Sequence, residues 1–297
     1  MAAELHLHLE GSVEPDTMRL LAPELSAEDI RRRYEFEDFT GFIECFKWVV
    51  RHLRGPGDYA LIARHLLKRL ERDGIDYAEI TLAAGVILWR RQEFAPIYDA
   101  LCKETAASPV QIHWNLDAIR HFGPEPAMRV AEWAAERVAD GVISFGIGGD
   151  ERTGPAEWFT EAYAFARKKG LRLTAHAGEV MGPESVWAAI KIGAERIGHG
   201  IRAMEDPVLV RHLRDARIPL EVCISSNVAT GAVSSLDAHP IRKLYDAGVV
   251  ITINTDDPAI FRTSLAREFE IARDRFGFSE SELREIAENA YRVRFGR

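Results

Sequence analysis

The chain has 297 residues, 47% hydrophobic and 28% charged, with a formal net charge of -8. That is a globular composition, long enough for one large α/β barrel or two medium domains. It has no apolar run near the ~20 residues of a membrane span, and no Lys/Arg-dense segment to suit a nucleic-acid backbone.

Met1 leads directly into a charged, strand-like segment rather than a basic start and long apolar core, so a cytoplasmic location is expected. Cys45, Cys102 and Cys223 lie far apart with no CxxC pair, which indicates neither a disulfide framework nor a thiolate metal site. Eight short apolar or β-branched runs are candidate strands: 4–9, 77–82, 111–116, 142–146, 171–175, 196–198, 220–223 and 249–254. Between them run amphipathic stretches with helix punctuation, such as 58–73 closed by Gly74 and 125–140 closed by Gly141. The alternation predicts parallel strands with helical crossovers, and eight such units in a chain of this size predict a single (β/α)8 (TIM) barrel.

The regular spacing is interrupted once, by a helical insertion over about 15–74 after the first strand. Within it, Phe39, Phe42, Ile43, Phe46, Val49, Val50 and Leu53 form one broad helical stripe. Because the stripe follows a strand, it enters on the C-terminal face where barrel active sites lie. It reads either as a helix packed on the barrel or as an aromatic lid over a flat apolar ligand.

Polar residues concentrate at the predicted strand ends. In "ELHLHLEGS" the period of two puts His6 and His8 on one face. "HAGE" adds His176 and Glu179, "RIGHG" adds His199, and "NTDDP" adds Asp256 and Asp257. Strand ends of a barrel converge on one mouth, so residues 250 apart can share a site. His6, His8, His176 and Asp256 suit a zinc ion, with Fe²⁺ or another divalent ion open to the same ligands. "FGIGGDE" offers no lysine to bridge a second metal, so one ion is expected. His199 and Glu179 remain for proton work on an activated water. The GxGG run lacks the Lys-Ser/Thr of a phosphate loop. His52, His65, His113, His121, His212 and His239 read as ordinary surface or core residues.

Taken in order, "ELHLHLEGS", "FEDFTGFIECF", "GIGGDE", "HAGE", "RIGHG", "EVCISSN", "TGAV" and "NTDDPAIF" resemble the adenosine deaminase family of the amidohydrolase superfamily, and they span nearly the whole chain. The resemblance implies zinc held by His6, His8, His176 and Asp256, with His199 orienting and deprotonating the attacking water. Glu179 would protonate purine N1, Gly149 would donate its N–H to N3, and Asp257 would accept from N7. The helix carrying Phe39, Phe42 and Phe46 would cap the base. The implied reaction is hydrolytic loss of the 6-amino group of an adenine as ammonia, on a small purine, with no nucleic-acid or membrane partner.

Within the family, "GGDE", and Gly198 where adenine deaminases usually carry Asp, favour an N9-substituted adenine, with free adenine as the alternative. Adenosine deaminases typically carry Asp where this chain has Glu10, so Glu10 is expected in a reshaped sugar pocket. That points to an adenosine-like compound such as the 6-aminodeoxyfutalosine of a menaquinone route.

Overall fold

The computed structural model describes residues 2–296. Eight parallel strands follow one another in chain order: β1 Ala2–His8, β2 Ile75–Leu82, β3 Gln111–Ile119, β4 Val142–Gly148, β5 Arg172–Ala177, β6 Arg196–His199, β7 Leu220–Val222 and β8 Ile251–Ile253. All eight expected strands are present, displaced by at most a few residues at their ends. β8 meets β1 through a parallel bridge between Leu7 and Asp256. The Leu5 N–H donates to the Asn254 side-chain oxygen at 3.0 Å beside it. The result is a nearly closed (β/α)8 barrel in a single domain.

Alternation along the strands separates two environments. In β1, Leu5 and Leu7 are buried with the hydrophobic core, whereas His6 and His8 take the opposite, barrel-interior face. The interior is polar: Thr81, Asn115, Ser144, Thr174, Arg196, Glu221 and Thr252 are all buried. Apolar burial is concentrated instead in the strand–helix layer, where Leu82, Phe145, Leu173 and Ile197 are fully covered, each side chain contributing roughly 1.5–3 kcal/mol.

The insertion is four helices: α1 Pro15–Leu21, α2 Ala27–Arg33, α3 Phe39–Arg51 and α4 Pro56–Arg72. Asp38 caps α3 by accepting the Gly41 N–H at 2.8 Å. Val49, Val50 and Leu53 anchor the inner end of the apolar stripe in the core, and Phe39, Phe42 and Phe46 stay half-buried. The helix expected over 125–140 is Pro124–Glu136, followed by a separate 3-10 turn, Val138–Asp140, that closes on Gly141 at φ 96°. A tightened last turn before a left-handed glycine is a common helix ending.

Candidate active site

At the C-terminal mouth, β1, β5 and β8 bring four potential ligand atoms together. His8 Nε2 lies 3.2 Å from His176 Nε2 and 3.2 Å from Asp256 Oδ1, and His6 Nε2 lies 3.4 Å from the same oxygen. His6 donates from Nδ1 to Glu221 at 2.8 Å, which leaves its buried Nε2 without a hydrogen-bond partner. His176 Nδ1 similarly faces the Ile147 carbonyl at 3.2 Å. Lone pairs facing one another across about 3.3 Å form the edge of a tetrahedron whose metal–ligand bonds are about 2.0–2.1 Å. The donor atoms therefore fit a divalent cation: His6, His176, His199 and Asp256 form one close group, and His8, Asp256 and Asp257 form a second that shares Asp256.

Two of these residues adopt left-handed backbone conformations, His199 at φ 61° and Asp256 at φ 64°. Non-glycine residues there are strained, and such strain collects at functional sites. Glycines make room around them. A Cβ on Gly11 would lie 1.6 Å from Asp257 Oδ1, and one on Gly198 would lie 2.6 Å from the His6 ring.

Glu179 is 8% exposed. Burial, then the nearby Asp256 and Glu151 carboxylates, push it well above the usual carboxylate range, which favours its protonated form. Glu151 lies behind it, accepting the N–H groups of Gly178, Glu179 and Val180 at 3.0, 2.9 and 3.4 Å and so fixing the "HAGE" turn. Burial and then Asp256 also push Asp257 up. N7 of an N9-substituted purine carries a lone pair and no hydrogen, so a hydrogen bond there requires the donor on the Asp257 side.

His199 is positioned by a chain of defined polarity. The Ile241 N–H donates to His239 Nδ1 at 3.2 Å, so His239 donates from Nε2 to Asn227 Oδ1 at 3.2 Å, and Asn227 Nδ2 donates to His199 Nδ1 at 3.0 Å. Assigned from this network, the His199 proton sits on Nε2, 3.6 Å from Glu179 Oε2. Burial lowers His199 to about 3. Such a ring donates to an oxygen, which suits the orienting half of its expected role rather than the proton-accepting half.

A cavity of about 410 Å³ opens over the cluster. His8, Gly149, His176, Glu179, His199, Asp256 and Asp257 line its floor, with Phe39, Phe42 and Phe46 of α3 alongside. Phe42 stacks on Phe261 with centroids 5.0 Å apart. Glu10 is not among the lining residues: its carboxylate is fully buried and accepts the Ala83 N–H at 3.2 Å. The residue expected in a sugar pocket thus lies outside the cavity lining, with its carboxylate against the backbone after β2.

Three further features lay outside the sequence reading. Asp117, 3% exposed on β3, lines the cavity, and a Cβ on Gly146 or Gly148 would come within 2.3 or 2.4 Å of its carboxylate. The "GIGG" glycines thus accommodate a carboxylate rather than a phosphate. Trp89, 67% exposed, stacks on Phe122 at 5.7 Å, and both stand with Lys47, Arg51 and His121 around the cavity. His121 and His239, read as ordinary histidines, belong to the cavity wall and to the chain behind His199.

A (β/α)8 barrel that gathers imidazole and carboxylate ligands from β1, β5 and β8 belongs to the metal-dependent hydrolases of amidohydrolase type. Residues 2–296 match the family model described as adenosine deaminase, and the chain belongs to that family. It is 39% identical over 99% of its length to an adenine deaminase of Rhizobium meliloti (strain 1021), covering 93% of that protein. It is 38% identical, also over 99%, to an aminodeoxyfutalosine deaminase of Streptomyces avermitilis, covering 86%. A solved amidohydrolase from Burkholderia ambifaria with bound zinc superposes with a TM-score of 0.92 at 26% identity, over 100% of this chain and 86% of that one. The chain is a hydrolytic deaminase.

Proposed function

We propose that the chain removes the 6-amino group of an N9-substituted adenine, with one zinc held by His6, His8, His176 and Asp256. The observation that carries the substrate reading is the reach of the cavity. The lining runs from Glu179, Gly149 and Asp257 to Lys47, Arg51, Trp89 and Phe122, around a volume of about 410 Å³ within the range of small-molecule sites. The aromatic pair and the two cations suit an extended substituent ending in an acidic group, as in 6-aminodeoxyfutalosine, and the relative of that name supports the reading. Zinc is supported by the donor set and by the relative that binds it.

A cation bound there supplies an activated water at neutral pH. Neutral Glu179 gives its proton to N1, which makes C6 electrophilic, and the resulting carboxylate takes a proton from the water as oxygen attacks C6. His199 Nε2–H orients that oxygen, Asp257 and the Gly149 N–H hold N7 and N3, and α3 covers the base against bulk water. Departure of the amine as ammonia carries the second water proton and leaves the 6-oxo product protonated at N1.

The relative named adenine deaminase favours a second reading, in which free adenine is the substrate. Initial rates on adenine, adenosine, 5′-substituted adenosines and 6-aminodeoxyfutalosine, followed by ammonia release, separate the two. Turnover of adenine alone overturns the nucleoside reading.

A further inference from the structure

The barrel floor carries a second polar assembly, away from the cavity. Arg196 on β6, Glu79 on β2 and Glu221 on β7 are each 1–2% exposed. Arg196 donates from Nε to Glu221 Oε1 at 2.6 Å, from one terminal nitrogen to Glu79 Oε2, and from the other to the Val293 carbonyl at 3.1 Å. The other oxygen of Glu221 accepts from His6 Nδ1. The other oxygen of Glu79 accepts the Tyr77 hydroxyl and the Phe295 N–H, both at 2.6 Å. The Phe295 ring covers the guanidinium, 3.7 Å from its carbon.

We propose that Arg196, Glu79 and Glu221 form a positioning assembly for His6, and that the segment 293–296 seals it from solvent and thereby governs metal retention. The inference rests on the metal reading above and concerns how the ligand is held. Burying three charges is costly, and an apolar trio of similar volume generally stabilises a core at least as well. What an apolar trio does not provide is a fixed acceptor at His6 Nδ1, which sets the tautomer and ring plane and turns the Nε2 lone pair toward the other three ligand atoms. Charge points the same way. Two carboxylates against one guanidinium leave one negative charge on the floor, Asp256 adds another, and a divalent cation balances both. Glu79, Arg196 and Phe295 lie on three separate elements, and no one of them touches a ligand directly; only Glu221 does.

The test uses the full chain loaded with zinc or cobalt and reads metal release to a chelator and the visible cobalt spectrum, neither of which involves substrate. Phe295→Ala and Arg196→Met are compared with Leu283→Ala, which removes a buried side chain from the helix Glu280–Val293 without touching the assembly. The first two are expected to release metal about 10–100-fold faster, the range for losing a partner behind a ligand, and to shift the cobalt bands. Arg196→Lys, keeping charge without the fork, should fall between. If Arg196→Met does not fold, Phe295→Ala carries the test, since it removes only the covering ring. Wild-type release and spectra in folded Phe295→Ala overturn the inference, as does equal acceleration in Leu283→Ala. A wild-type chain that takes up neither metal overturns the metal reading itself.

Discussion

Asp256 and His8 meet twice. The Asp256 carbonyl accepts the His8 N–H at 2.8 Å across the seam of the barrel, while its carboxylate oxygen lies 3.2 Å from His8 Nε2. The Asp256 N–H donates to the His6 carbonyl at 3.0 Å in the same seam. The same residue thus lies in the seam between the last strand and the first and among the donor atoms of the proposed metal site.

Asp256→Asn separates these two functions. Asn tolerates the left-handed backbone and keeps both seam bonds, but gives up the charged ligand. The Asp256→Asn protein should fold with near wild-type urea midpoint and retain little zinc. Asp256→Ala should also lose metal, and should cost about 1–2 kcal/mol more because Ala is strained at a positive φ. Zinc content and urea unfolding of the two variants check this; full zinc occupancy in Asp256→Asn removes the residue from the ligand set.

Glu179→Gln is expected to keep its zinc and lose about 10²–10⁴ in kcat, the usual range for removing a general acid. Gln preserves the buried volume and the Thr230 hydroxyl contact at 3.2 Å but has no proton to give to N1. In the wild type the acid must be protonated, so with its pKa raised by burial the rate falls as alkali ionises it. A variant that turns over at near-normal rate would show that N1 is protonated by another group.

How much of this was legible in the sequence follows from what constrains each residue. His6, His8, His176 and Asp256 stood out because ligand chemistry admits few residue types and strand ends mark where they converge. The strands themselves were visible as apolar runs between helix periods. Asp117 was not, because it is a single charged residue that nothing local marks; Glu151 and Arg196 stand inside "GIGGDE" and "RIGHG", but their partners lie on other strands or turns, so their roles were not readable. The Glu10 contact was hidden for the same reason: the Ala83 N–H that meets its carboxylate is 73 positions away. Trp89 lies on a short helix, Ala84–Trp89, that continues the apolar run of β2, where periodicity gives no boundary.

His239 makes stability depend on acid. Burial lowers it to about 4, against 6.5 for the free side chain. Between those values the unfolded chain binds a proton that the folded chain does not, so stability is fully present above pH 6.5 and is lost as pH falls toward 4. The gap corresponds to about 3 kcal/mol. In His239→Gln, urea midpoints measured from about pH 7 down to about pH 4.5 should decline less steeply than in the wild type, whatever the offset at pH 7. Parallel curves would show that His239 titrates normally in the folded chain.

Trp89 tests the outer half of the cavity. With 67% of its surface exposed, it contributes little to the core, so Trp89→Ala should leave the stability within about 0.5 kcal/mol of wild type, as surface changes do. On the proposed reading the stacked Trp89–Phe122 pair meets the N9 substituent and not the base. Loss of a stacking partner, worth about 0.5–1.5 kcal/mol beyond area, should lower kcat/KM for 6-aminodeoxyfutalosine by roughly 2–10-fold while leaving that for adenosine nearly unchanged. Arg51→Ala should behave likewise, with a loss that shrinks at high salt because an exposed charge is screened. Equal losses on both substrates would place the two residues in cavity shape rather than in recognition of the substituent.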